Sequence, residues 1–316
     1  MKRLKFFVLL IFLMNFSQEI LTETTLKSVE NAWPRRVLIT NDNGINDIKI
    51  IELARAFAKV AETYVVAPLV DRSGASNYMS LGERKPFVEV EKCDLGAGIV
   101  AYGLDGYPAD CVLFALSGPL KDNPPDLLVS GINGGPNLGI EWFGSGTIGA
   151  ARTAALGGLP AIAVSGLNKQ IPGAVNATTK WMVKFAQCPV VKNLEKGQYL
   201  TISIPRVPPT EIMGIKVVPR ATLQISALPT FVLAKKNKES LKRQLWILQP
   251  PLPSRKITKA EGDIAAYRKN FIVIVPMNVC EVDYDYLPEL QKHLSDFPSW
   301  QASPARSGKN KISSTE

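Results

Sequence analysis

An α/β fold with a mainly parallel sheet is predicted by three observations. Short apolar runs recur along the first half of the chain, a helix-period segment follows the first of them, and short polar residues and glycine close most of them. The first run is Val37-Leu38-Ile39, a strand with both faces buried, and Asn41-Asp42-Asn43-Gly44 forms the loop at its carboxyl end. Ligands gather at that end of an open parallel sheet, although the same four residues also suit an ordinary turn.

From Asp47 to Ala61, Ile50, Leu53, Ala54, Phe57, Val60 and Ala61 fall at helical spacing, which returns the chain to a second strand, Thr63–Ala67, stopped by Pro68. The loop Asp71–Asn77 after it is rich in hydroxyls. Residues 83–104 alternate apolar and polar in short pieces and are predicted to form an antiparallel excursion. Gly106-Tyr-Pro-Ala-Asp110 opens a helix through Leu116, with proline in its first turn.

Asp126–Ser130 is the third core strand. Its loop, Gly131 to Gly139, carries Gly131, Gly134, Gly135 and Gly139, a density that calls for unusual torsions or close backbone approach. Gly144-Ser-Gly-Thr147 then leads into a helix of small residues, Ile148–Ala155. Ser145 and Thr147 at its start fit either a hydroxyl cap or an anion cradle of backbone N–H groups. Ala161–Ser165 is a fourth strand, followed by a helix over 175–187 and a strand over 199–204. Prolines from Pro205 to Pro253 then mark an irregular, strand-rich extension, and Gly262–Ala266 with Phe271–Val275 return to α/β character.

The 316 residues and a hydrophobic fraction of 46% suffice for a large core. Lys2, Arg3 and Lys5 precede an apolar run from Phe6 to Met14, the layout of a signal peptide over residues 1–17, too short for a comfortable membrane span. Export to the periplasm or the medium is expected; an uncleaved amino-terminal anchor or a cytoplasmic location is the alternative. Residues 18–34 read as a spacer, and 301–316 as a disordered tail. The net charge of +9 lacks the interleaved aromatics of a nucleic-acid platform, so no stable nucleic-acid complex is expected. Cys93, Cys111, Cys188 and Cys280 form no C-x-x-C pair, and His293 is the only histidine. It lies in a polar carboxyl-terminal segment, which argues against a Ser-His-Asp triad, a histidine phosphatase and a multi-histidine metal site. A nicotinamide-dependent oxidoreductase is set aside because no G-x-G-x-x-G follows the first strand.

Five segments, Thr40-Asn-Asp-Asn-Gly44, Arg72-Ser-Gly-Ala-Ser-Asn77, Gly106-Tyr-Pro-Ala-Asp-Cys-Val112, Pro125–Asn133 and Ser145-Gly-Thr147, together resemble the SurE (stationary-phase survival) family of metal-dependent 5′/3′-nucleotidases. A fainter echo lies in Glu261–Ala266. The resemblance implies a Rossmann-like three-layer core over about 35–190 and 260–280, and an extension over about 205–255 within a domain spanning 35–300. It further implies assembly as a homodimer or homotetramer, one divalent cation per subunit and a nucleoside monophosphate or similar phosphomonoester as substrate. Metal ligands carry over onto Asp42, Asn43, Ser73 and Asn133, with Asp42 and Asn133 as catalytic residues. Asn41, Ser145, Gly146 and Thr147 carry over as phosphate contacts. An all-oxygen donor set suits Mg²⁺ or Mn²⁺. Asn43 departs from the family pattern, which has a second aspartate there. A catalytically weak nucleotide- or phosphate-binding protein with a degraded metal site is therefore the alternative. Gly44, lacking a side chain, also leaves room for its nitrogen to attack the Asn43 amide and convert it to aspartate.

Overall fold

The computed structural model describes residues 33–80, 86–221, 230–235, 245–249, 262–280 and 287–292. The leader, residues 18–32 of the spacer, His293 and the tail lie outside them. The elements are β1 (Arg36–Thr40), α1 (Ile48–Phe57), β2 (Glu62–Pro68), β3 (Val90–Cys93), β4 (Ile99–Leu104), α2 (Pro108–Ser117), β5 (Leu127–Ser130), α3 (Gly146–Leu156) and β6 (Ala161–Ser165). They continue with α4 (Ala174–Ala186), α5 (Pro189–Lys192), β7 (Gln198–Ser203), β8 (Ile215–Val217), β9 (Thr230–Lys235), β10 (Leu245–Gln249), α6 (Gly262–Tyr267) and β11 (Ile272–Asn278). The last described helix, α7 (Leu287–Lys292), belongs to a separate compact unit, residues 280–316.

Nine strands form one sheet in the order β3-β4-β2-β1-β5-β6-β7-β11-β8. From β4 to β7 every pairing is parallel, with β1 central: Val37 lies opposite Thr63 on one side and Leu127 on the other. Because side chains alternate across a strand, Val37 and Ile39 enter one core with Ile50, Leu53 and Phe57 of α1 and Met182 of α4. Leu38 enters the other, with Val112 and Ala115 of α2 and Ala151 and Ala154 of α3. Two apolar layers on the two faces of one sheet make the expected three-layer core. The small residues of α3 suit it: nine of its residues, Gly146, Thr147 and Gly149 among them, are buried.

Two expectations are corrected and a third is filled in. The excursion over 83–104 is antiparallel only between β3 and β4, while β4 itself joins β2 as a parallel strand of the main sheet. The extension read over about 205–255 contributes β8 to the main sheet, where it pairs in parallel with β11, and among the described residues β9 and β10 form an antiparallel ribbon of their own. Trp33, at the end of the stretch read as a spacer, packs on the α1/α4 core and donates from Nε1 to the Ala186 carbonyl at 3.2 Å.

Candidate active site

The site begins where β1 ends. Asn41 donates from its amide nitrogen to the Gly44 carbonyl at 2.9 Å and accepts from the Gly44 N–H at 3.1 Å. Both ends of that amide are thus engaged within the loop, and Asn41 is 1% exposed. In this arrangement Asn41 shapes the turn. Gly44 has φ of +100°, and a β-carbon there would lie 3.3 Å from the Val70 carbonyl carbon, so the turn both needs a positive φ and presses against the segment after β2. The Arg72 N–H donates to the Asp42 carbonyl at 2.7 Å, tying the hydroxyl-rich loop to the same turn.

Asp42 is 3% exposed. Its Oδ1 accepts from the Thr147 hydroxyl at 2.8 Å and its Oδ2 from the Thr147 N–H at 3.1 Å, a contact between residues 105 apart in sequence. Burial pushes the Asp42 carboxyl above its ordinary range, the two Thr147 bonds pull it down, and the nearby charge of Asp71 pushes it up again. The next N–H of α3, that of Ile148, is taken by the Ser145 hydroxyl at 3.1 Å. Ser145 thus caps α3, and the Asp42 carboxylate of the protein itself lies against the same first turn. Gly146 permits the approach, because a β-carbon there would lie 3.0 Å from the Asp42 β-carbon. In this arrangement the hydroxyls of Ser145 and Thr147 are both engaged inside the protein.

Beside Asp42, the Asn43 Oδ1 is buried without a hydrogen-bond partner among the described residues. The buried hydroxyls Thr40 Oγ1 and Ser130 Oγ share that condition, as the Tyr267 hydroxyl does, and the first two lie opposite one another in the β1–β5 register. Buried oxygens are rarely left unsatisfied, so their concentration at the ends of two adjacent strands points to a bound polar guest. Asn133 is held by its main chain: its N–H donates to the Val164 carbonyl at 2.9 Å and its carbonyl accepts from Leu167 at 3.1 Å. Its amide nitrogen donates to Gly135 at 2.9 Å, which leaves Oδ1 as the amide atom that could coordinate a cation. Gly131 makes this course possible, since a β-carbon there would fall 2.4 Å from the Val164 carbonyl oxygen. Ser73 is exposed, and both its N–H and its hydroxyl donate to Asp71 Oδ1, at 2.8 and 2.6 Å.

Among the described residues no group of three or more His, Cys, Asp or Glu is placed to hold a metal. The donors present are one carboxylate, two amide oxygens and a hydroxyl. Such a set fits a hard cation that keeps part of its water shell, as Mg²⁺ does, and the unpartnered Asn43 oxygen is consistent with it. Asn133→Ala is expected to weaken Mn²⁺ binding about tenfold, on the scale of losses seen when a ligand's surroundings are altered. Asn137→Ala should weaken it less, because the Asn137 amide donates to Ser165 Oγ at 2.6 Å and faces that strand end. Calorimetric titration of both variants checks the order.

Four participants were not anticipated. Asp71 brings a second carboxylate to the neighbourhood of Asp42, and its signal was an Asp two residues before a Ser, a local turn motif. Gly149 seats the hydroxyl-rich loop: a β-carbon there would lie 2.0 Å from the Ser76 carbonyl oxygen. Gly149→Ala is therefore expected to displace that loop and to cost about 1–3 kcal/mol in chemical denaturation. Asp263, fully buried, accepts from the Gly139 N–H at 3.0 Å, while Arg220 donates to the carbonyls of Asn137 and Gly139 at 3.1 and 3.4 Å. These two pin the far end of the glycine-rich loop from more than 80 residues away; Asp263 lies within the Glu261–Ala266 echo, whereas no local pattern announces Arg220. The Gly106–Asp110 motif, by contrast, is architectural: buried Asp110 accepts from the Tyr107 N–H at 2.9 Å and from the Ser80 hydroxyl at 2.8 Å.

A family profile described as survival protein SurE matches residues 37–226. A 5′-nucleotidase SurE of Thermosipho melanesiensis is 30% identical over 260 residues, covering 82% of this chain and 98% of its own length. A 5′/3′-nucleotidase SurE of Yersinia enterocolitica is 33% identical over 245 residues, covering 77% and 91%. The crystal structure of the SurE protein from Aquifex aeolicus superposes with a TM-score of 0.65 at 25% identity, covering 81% of this chain and 98% of that one. With five motifs in order around one strand-end site, and with that profile and those relatives spanning most of the folded region, the chain belongs to the SurE family.

Proposed function

We propose that this protein is a divalent-cation-dependent phosphomonoesterase that hydrolyses nucleoside monophosphates. The observation that carries the reading is the buried Asp42 carboxylate, clamped by both donors of Thr147 beside the unpartnered Asn43 oxygen at the carboxyl edge of the sheet. Relatives named as nucleotidases support the reaction class.

Asp42, Asn43 and Asn133 would hold the cation, and Ser73 would join them from the loop after β2. When bound, the cation supplies charge neutralisation at the phosphoryl oxygens and an activated water. The chain supplies orientation. Thr147 prevents the Asp42 carboxylate from swinging away, and the Asn133 main-chain bonds fix the opposite donor. With the carboxylate immobile, a water on that side can be directed in line at phosphorus, so that its O–P bond forms as the ester P–O bond breaks. Assembly as a dimer or tetramer belongs to the same reading and is measurable by light scattering.

Phosphate release from adenosine 5′-monophosphate, with Mg²⁺ or Mn²⁺ and again with a chelator, tests the function. Release that stops on chelation and resumes on adding metal is expected. No release under any metal condition would overturn the reading.

A further inference from the structure

Immediately beyond Asn133, Gly134 and Gly135 form one wall of a 320 Å³ pocket whose other walls include Lys49, Asn168, Lys169 and Arg206. That volume lies at the lower end of small-molecule sites, about 300–1,000 Å³. The walls come from the first turn of α1 and from the loops after β5, β6 and β7, the carboxyl edge of the parallel sheet. Three of the lining side chains are cationic and none is a carboxylate. Lys49 is balanced by Asp47, its ammonium 2.7 Å from the carboxylate. Lys169 and Arg206 are exposed and make no ion pair among the described residues, so an anion entering here meets two further positive charges.

A second pocket of 260 Å³ shares Leu167 and Asn168 with the first and is otherwise largely apolar, lined by Ile171, Trp181, Ile204 and Ile212 among others. The two pockets share a wall, so a cationic recess and a largely apolar one lie side by side, next to a loop that carries a candidate metal ligand. The Asn133 amide donates to Gly135, so the wall of the basic pocket and the metal donor are parts of one turn.

We propose that these adjoining pockets receive the leaving group of the substrate and favour one that bears a second phosphate, a nucleoside bisphosphate being the chemical class that fits. The inference rests on the phosphomonoesterase reading given above. One phosphate is hydrolysed at the Asp42 site, water adding to phosphorus as the ester oxygen departs and takes up a proton. The second, retained phosphate meets Lys169 and the planar fork of Arg206, and the apolar recess takes the base.

Steady-state kinetics on the full protein with saturating Mn²⁺ test this, using adenosine 3′,5′-bisphosphate, adenosine 5′-monophosphate and p-nitrophenyl phosphate. The parent should show kcat/KM for the bisphosphate about tenfold above that for the monophosphate, the scale of one charge-assisted hydrogen bond. In the double variant Lys169→Gln/Arg206→Gln the ratio should fall towards one. Hydrolysis of the monophosphate and of p-nitrophenyl phosphate with no preference in the parent would overturn this inference alone, as would a preference that survives in the variant. Failure to hydrolyse any of the three would overturn the phosphomonoesterase reading, and this inference with it.

Discussion

Asp42→Asn is expected to lower kcat/KM for a nucleoside monophosphate at least about a hundredfold while leaving the protein folded. The size follows from removing the one carboxylate that both faces the proposed cation and is locked in place, a loss comparable to deleting a preorganised electrostatic group from an active site. Folding should survive because asparagine keeps the shape and one acceptor oxygen. The Thr147 hydroxyl can still donate to that oxygen, whereas the Thr147 N–H would confront an amide NH₂. Exchanging one hydrogen bond in this way costs about 1 kcal/mol, further offset because a buried carboxylate without a cation is itself unfavourable. Thermal unfolding and kcat/KM measured on the same preparation separate the two effects. An Asp42→Asn variant with more than half the parental activity would remove Asp42 from the reaction.

Asn43→Asp should act in the opposite direction, tightening divalent-metal binding at least about tenfold and raising turnover at limiting metal. A carboxylate there adds a unit of negative charge close to the cation, a gross attraction of about 4 kcal/mol at 4 Å with an effective dielectric constant of 20, before desolvation is subtracted. Asp71 limits the gain. Its charge already reaches Asp42, and it anchors Ser73, so it supplies part of the negative field that Asn43 does not. Accordingly Asp71→Asn should weaken metal binding more in the parent than in Asn43→Asp, and calorimetric titration of the four combinations measures that coupling. Spontaneous conversion of Asn43 is disfavoured by the fold, since the Gly44 nitrogen that would attack its amide donates to Asn41 Oδ1 at 3.1 Å and Gly44 is buried. Mass analysis of aged protein should find Asn43 unchanged.

How legible the molecule is from its sequence depends on whether the decisive contact is local. β1 could be read because both of its faces are buried, and an unbroken apolar run has few other uses in a chain of this length. The β4 strand could be located but not oriented: its own pattern is the same whether its neighbour runs parallel or antiparallel, and the partner, β2, decides. The helix start at Ser145–Thr147 was equally suited to a cap or an anion cradle, and the carboxylate that lies against it, Asp42, comes from 105 residues earlier. Asn41 carries donor and acceptor at once, so its sequence position could not say whether it faces a ligand or its own turn. Arg220 was invisible for the same reason, and the Glu261–Ala266 echo could mark Asp263 without saying what it holds, because that is a loop in a different part of the chain.

The central claim is that Asp42, Asn43, Ser73 and Asn133 gather around one divalent cation. Anomalous diffraction from crystals grown with Mn²⁺ tests it most directly. A single strong peak within about 2.5 Å of the Asp42 carboxylate and the Asn133 Oδ1, with the Asn43 oxygen turned towards it, is the predicted result. Density confined to other parts of the surface, with Asp42 and Asn133 keeping only their protein partners, would contradict it.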